Sequence, residues 1–250
     1  MNKTEKFYAV GLALPLILFL ILGSLEPDTA EGSPFHFSFA SWNYPTAYAL
    51  KVLLVSAAAL VCAFACWRRL FPLRITRWTL LAIPAGLIGT VLWIALSRIP
   101  FSPLEFLSGP ARSAFDPFAE GVFEDPSLAW GFFAVRLFGL ALMVPLIEEF
   151  FLRGFLLRFI QDGDAKDTET GEGMNWLALS VGTLPMKAWI AVNAYAVLTH
   201  PEAVAAVVWF SLVTWYVSKT KNIWDAVVFH MSTNLALGLY ALLANDWTLL

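Results

Sequence analysis

The chain has 250 residues, 59% hydrophobic and 14% charged, with a formal net charge of −3. Soluble domains carry about 25% charged residues, so this composition and a mean hydropathy of +0.68 exclude a water-soluble globule and make the bilayer the solvent. The sequence carries no basic block of the kind that binds nucleic acid.

A helix needs about 20 apolar residues to cross the hydrocarbon core. Lys3 and Lys6 precede an apolar run over 7–23. That run is long for a secretory leader and lacks a small-x-small cleavage site, so it reads as an uncleaved first transmembrane helix. Further spans follow near 45–66, 78–97 and 128–149, then shorter or more polar ones near 184–200, 203–218 and 222–243. The run from Leu128 to Ile160 exceeds one bilayer thickness; a long tilted helix and one broken near Pro145 are both open. The expected fold class is all-α, a polytopic transmembrane helical bundle of seven to eight spans with a polar intramembrane cavity. The eighth span arises if 150–160 or 176–186 forms its own helix. Residues 1–250 read as a single integral-membrane domain. Within it, 1–127 supply N-terminal helices and outer loops, and 128–243 form the motif-bearing core.

Loop charge orients the spans. Lys3, Lys6, Arg68, Arg69, Arg74, Arg77, Lys219 and Lys221 read as cytoplasmic. The 24–44 loop carries Glu26, Asp28 and Glu31 but no Lys or Arg, and with the mainly acidic 98–127 loop it reads as outside. The N-terminus is therefore expected in the cytoplasm; a bacterial inner membrane is the expected location that goes with the family resemblance given below. The hydrophilic stretch from Gln161 to Gly173 reads as a flexible cytoplasmic loop. Cys62 and Cys66, four apart in one apolar run, read as buried small hydrophobes rather than a disulfide or metal site.

Charges at hydrocarbon depth are costly and point to function. Glu148, Glu149 and Arg153 lie together in the apolar stretch Met143–Leu157. Glu149 and Arg153 share a helix face at four-residue spacing. Glu148 points about 100° away, so Arg153 cannot readily neutralise both carboxylates. Of three histidines, His36 falls in the outer loop beside Pro34 and Phe35 and reads as solvated. His200 closes an apolar run before Pro201. His230 and Asn234, four apart in the last span, project from one face. Taken singly, these groups also fit an interfacial ion pair, packed histidines and polar glue between helices. Together, two Glu, one Arg, two His and one Asn are what a water-activating hydrolytic site requires. Glu and His accept a proton from water, and His and Asn donate hydrogen bonds to an oxyanion.

Glu148-Glu149-x-x-x-Arg153, the later His200 and His230-x-x-x-Asn234 resemble the three ordered motifs of the CAAX- and bacteriocin-processing intramembrane endopeptidases. These are the type II CAAX prenyl proteases, also called ABI or CPBP. The family usually has Phe four residues before its middle histidine; here that position is Ala196, with Tyr195 beside it. The tail from His200 to Leu250 resembles the CAAX protease-related branch linked to bacterial exosortase systems. The resemblance implies that Glu148 and His200 activate water, that Glu149 and Arg153 support them, and that His230 and Asn234 hold the oxyanion. It implies a metal-free glutamate-type protease, with zinc as the alternative; no His-Glu-x-x-His occurs. The implied partners are membrane lipid and a membrane-associated or lipidated peptide. A non-proteolytic scaffold or immunity-type protein is the alternative, and a proton-relay transporter a third reading, although no inverted repeat is found. A plain serpentine sets Glu148 near the cytoplasmic end of its span and His200 near the opposite face. They would then stand about 30 Å apart.

Overall fold

The computed structural model describes residues 1–27, 43–99, 109, 112–162, 175–183 and 185–250. His36, Asp28 and Glu31, part of the 98–127 loop, and nearly all of the 161–173 stretch lie outside the described residues. Seven helices longer than ten residues are described: α1 (Lys3–Gly23), α2 (Tyr44–Leu70), α3 (Arg77–Ser97), α4 (Pro126–Gln161), α5 (Met186–Thr199), α6 (Ala203–Thr220) and α7 (Ile223–Ala244). Their starts are set locally. Asn2, Asn43, Asp125 and Asn222 each cap a backbone N–H in the first turn, and Thr76 with Thr79 forms a capping box. Such caps satisfy donors that have no partner within the helix.

Six of these helices are long and apolar enough to cross a membrane, and α5 is a shorter seventh of 14 residues. The expected count of seven to eight spans is thereby corrected to six or seven among the described residues. The stretch 150–160 is no separate helix, and Trp176–Ala178 is a single 3₁₀ turn. Helix α4 instead continues unbroken for 36 residues, about 54 Å. It passes Pro145 just after a π-helical segment, Gly139–Met143, whose wider turn accommodates the missing proline donor. It also carries polar residues past 150 because the protein answers them. Arg158 donates to the carbonyls of Gly154, Leu177 and Leu179, and Gln161 donates to the Thr183 carbonyl.

Helix α7 packs along α3 and against α4 and α6, while α1 lies on α2 and α4. Gly86 permits the closest approach. A Cβ there would stand 2.4 Å from the Phe229 carbonyl oxygen and 2.7 Å from Ser232 Cβ, the small-residue contact that membrane helices use. Thr233 seals the joint by donating to the Gly86 carbonyl at 2.9 Å, while Trp209 Nε1 donates to its hydroxyl at 3.2 Å. Cys62 and Cys66 are free and buried. The Arg-rich turn between α2 and α3 meets the α6–α7 turn at one end of the bundle, where Asn222 donates to the Arg74 carbonyl.

Candidate active site

A second π-helical segment within α4, Phe150–Leu156, begins directly after Glu149. Such turns recur at functional sites. The i, i+4 pair expected from the sequence is formed: Arg153 Nη1 donates to Glu149 Oε2 at 2.5 Å. The other Glu149 oxygen, Oε1, lies 3.0 Å from His230 Nδ1 on α7. Arg153 Nη2 also donates to the Thr214 hydroxyl at 2.9 Å and to the Phe210 carbonyl at 3.3 Å on α6. Both oxygens of Glu149 and both terminal nitrogens of Arg153 are thus engaged, and the two residues are buried, at 0% and 2% exposure; the Arg153 Nε has no partner.

Glu148, on the neighbouring face, is held differently. Tyr195 on α5 donates to its Oε1 at 2.6 Å. Its Oε2 accepts no hydrogen bond and lies 3.6 Å from His230 Nε2. His230 therefore stands between the two carboxylates, with Nδ1 on Glu149 and Nε2 toward Glu148. Trp209 packs edge-on against its ring at 4.5 Å. Because the ion-paired Glu149 can only accept, His230 Nδ1 carries a proton.

His200 forms the C-cap of α5. Its Nδ1 lies 3.1 Å from the Ala196 carbonyl and 2.9 Å from the Thr199 hydroxyl, and its ring sits edge-on to both Trp93 and Phe210. Asn234, one turn beyond His230, donates to the Leu140 carbonyl at 2.9 Å. Glu148, Tyr195, His200, His230 and Asn234 line one cavity of about 200 Å³, walled on one side by Leu16, Phe19 and Leu20 of α1. At about 30 Å³ per water, it has room for several.

Residues 130–236 match the family model described as type II CAAX prenyl endopeptidase, Rce1-like. Over that stretch the chain is similar to that family. No curated protein and no solved structure matches it. That likeness indicates a protease-type enzyme, and six helices long and apolar enough to cross a membrane agree with a membrane-embedded one. The matched stretch contains all six candidate residues, Glu148, Glu149, Arg153, His200, His230 and Asn234.

Four of the six, Glu148, His200, His230 and Asn234, face the shared cavity; Glu149 and Arg153 sit behind it. The serpentine separation of Glu148 from His200 is corrected. Helix α4 extends to Gln161, so Glu148 lies about 13 residues, or roughly 20 Å, before its end rather than at it. The short α5 brings His200 to the same cavity. Sequence reasoning missed Tyr195, Thr199, Thr214 and Trp209 as neighbours of the Rce1-like motifs. Tyr195 carries a signal, an aromatic hydroxyl five residues before His200, but its partner is 47 positions away. Among the described residues no three His, Cys, Asp or Glu side chains gather as a metal site. The two oxygens of Glu149 are already held by Arg153 and His230.

Proposed function

We propose that this Rce1-like chain hydrolyses a peptide bond in a membrane-associated or lipidated substrate, with Glu148 and His200 activating water and His230 with Asn234 holding the oxyanion. The observation that supports this reading is that these four groups face one cavity while Glu149 and Arg153 brace it from behind. Water gives a proton to Glu148 Oε2 or His200 Nε2 as its oxygen bonds to the scissile carbonyl carbon. The carbonyl oxygen becomes an oxyanion, met by N–H groups of His230 Nε2 and Asn234 Nδ2. The C–N bond then breaks, and the amine leaves with the proton taken from water.

Electrostatics fit His230 as an oxyanion donor. With Nδ1–H directed at Glu149, a second N–H at Nε2 requires the imidazolium. The scaffold alternative treats the cluster as polar glue; the cavity that Glu148, His200, His230 and Asn234 share favours the enzyme.

The reading carries no metal, with zinc as the alternative. The exosortase-associated branch rests on the His200–Leu250 tail alone. A cytoplasmic N-terminus is supported by the basic α2–α3 and α6–α7 turns meeting at one end; the bacterial inner membrane rests on the family resemblance alone. The test compares membrane peptides from cells carrying the wild-type chain with those carrying Glu148→Ala. Cleavage products confined to the wild type are expected. Identical peptide sets from equal amounts of folded protein would reject the protease reading.

A further inference from the structure

We propose that the last turn of α5 is the positioning element of this site. In it, the Tyr195 hydroxyl selects which oxygen of Glu148 reacts, and Thr199 with the Ala196 carbonyl selects which nitrogen of His200 is basic. The proposal rests on the reading of Glu148 and His200 as the water-activating pair.

A carboxylate has two chemically equal oxygens until its surroundings distinguish them. Here Tyr195 Oη donates to Oε1 at 2.6 Å, a length typical of a hydroxyl on an ionised acceptor. Oε2 has no donor. Rotating the carboxyl would break the only hydrogen bond it has, so Oε2 is the oxygen left to take a proton. The Tyr195 ring is itself held, packed against Phe151 and Phe210.

One turn later, the same helix acts on His200. The Thr199 hydroxyl has a single proton, which it donates to the Tyr195 carbonyl at 2.8 Å. Toward His200 Nδ1, 2.9 Å away, it can therefore only accept. The Ala196 carbonyl, 3.1 Å from the same nitrogen, is also only an acceptor. Both contacts require a proton on Nδ1. The opposite tautomer would set an Nδ1 lone pair against the Ala196 oxygen. Neutral His200 consequently carries its lone pair on Nε2, the nitrogen that the α5 backbone leaves alone. Residues 195, 196 and 199 thus prepare both members of the pair from a single helical turn.

Two measurements test this. The first needs no substrate. The chain has three histidines, so selective ¹⁵N-histidine labelling in liposomes yields three imidazoles, with His200 assigned by its loss in H200Q. The expected result is Nδ1–H for neutral His200, a smaller Nδ1–H population in T199V, and restoration in T199S. Nε2–H in the wild type, or no change in T199V, overturns the Thr199 assignment. The second uses proteoliposomes and a lipid-anchored, internally quenched peptide that the wild type cleaves. Y195F is expected to lower kcat about ten- to a hundredfold, the worth of one hydrogen bond to a charged group, with KM unchanged and a cooperative melt that shows the variant folded. A Y195F kcat within twofold of wild type, beside an inactive E148A, overturns the Tyr195 assignment alone. Cleavage retained by E148A overturns the underlying reading instead.

Discussion

Arg153 offers a sharp energetic test because it is a buried cation with a buried counterion. Its side chain and that of Glu149 are 1% and 0% exposed, with 2.5 Å between the charged atoms. Arg153→Met removes the cation and leaves Glu149 without its strongest partner. Removing one member of a buried pair costs about 3–5 kcal/mol. For a chain of this size, each kcal/mol moves the melting temperature by about 2–4 °C, so the expected fall is roughly 6–20 °C. Glu149→Gln should do comparable damage, since it strands the guanidinium. The double variant removes both charges and should be more stable than the sum of the singles by at least about 2 kcal/mol. The assay is a thermal melt in detergent read by a thiol-reactive fluorophore, because Cys62 and Cys66 are free, buried and exposed only on unfolding. A shift below 2 °C for Arg153→Met, or strict additivity in the double variant, would refute the account of Glu149 and Arg153 as a coupled brace.

Asn234→Ala should lower kcat about 10²- to 10³-fold, the usual cost of losing one oxyanion donor, with little change in KM; a rise in KM alone would argue for a binding role. Treatment with phenanthroline followed by metal-free dialysis should leave the rate unchanged, and loss of cleavage restored by zinc would establish the metal alternative. Gly86→Ala should destabilise by about 1–3 kcal/mol, because the new Cβ meets the Phe229 carbonyl and Ser232 at van der Waals overlap. Gly131→Ala, whose Cβ meets nothing within 4 Å, is its control in the same melt, and equal shifts would contradict the packing account.

The sequence was most legible where local geometry decides the outcome. Four-residue spacing sufficed to pair Glu149 with Arg153 and to put His230 and Asn234 on one face. Hydropathy located α1, α2, α3, α6 and α7 to within a few residues. For α4 it left a long tilted helix and one broken near Pro145 both open; the structure has the long helix, whose C-terminal turns carry Arg153, Arg158 and Gln161. Those residues look like an exit from the membrane, yet Glu149, backbone carbonyls and Thr183 satisfy them from within the protein. The depth mismatch between Glu148 and His200 followed directly from that truncated span. The partner of Tyr195 was hidden for another reason: it is Glu148 on a different helix, and no periodicity within α5 reports it. Lys51, another charge inside a span, is similarly answered by Glu26 at 2.7 Å.

The central claim is that Glu148 activates water for peptide hydrolysis. Its most direct measurement is cleavage of a lipid-anchored peptide by purified protein in liposomes, comparing the wild type with Glu148→Gln. The substitution keeps an acceptor for Tyr195 and nearly the same volume but removes the base. The account predicts cleavage by the wild type and none by Glu148→Gln, with the variant's melt showing a folded protein. Cleavage by Glu148→Gln at a rate near that of the wild type would contradict it.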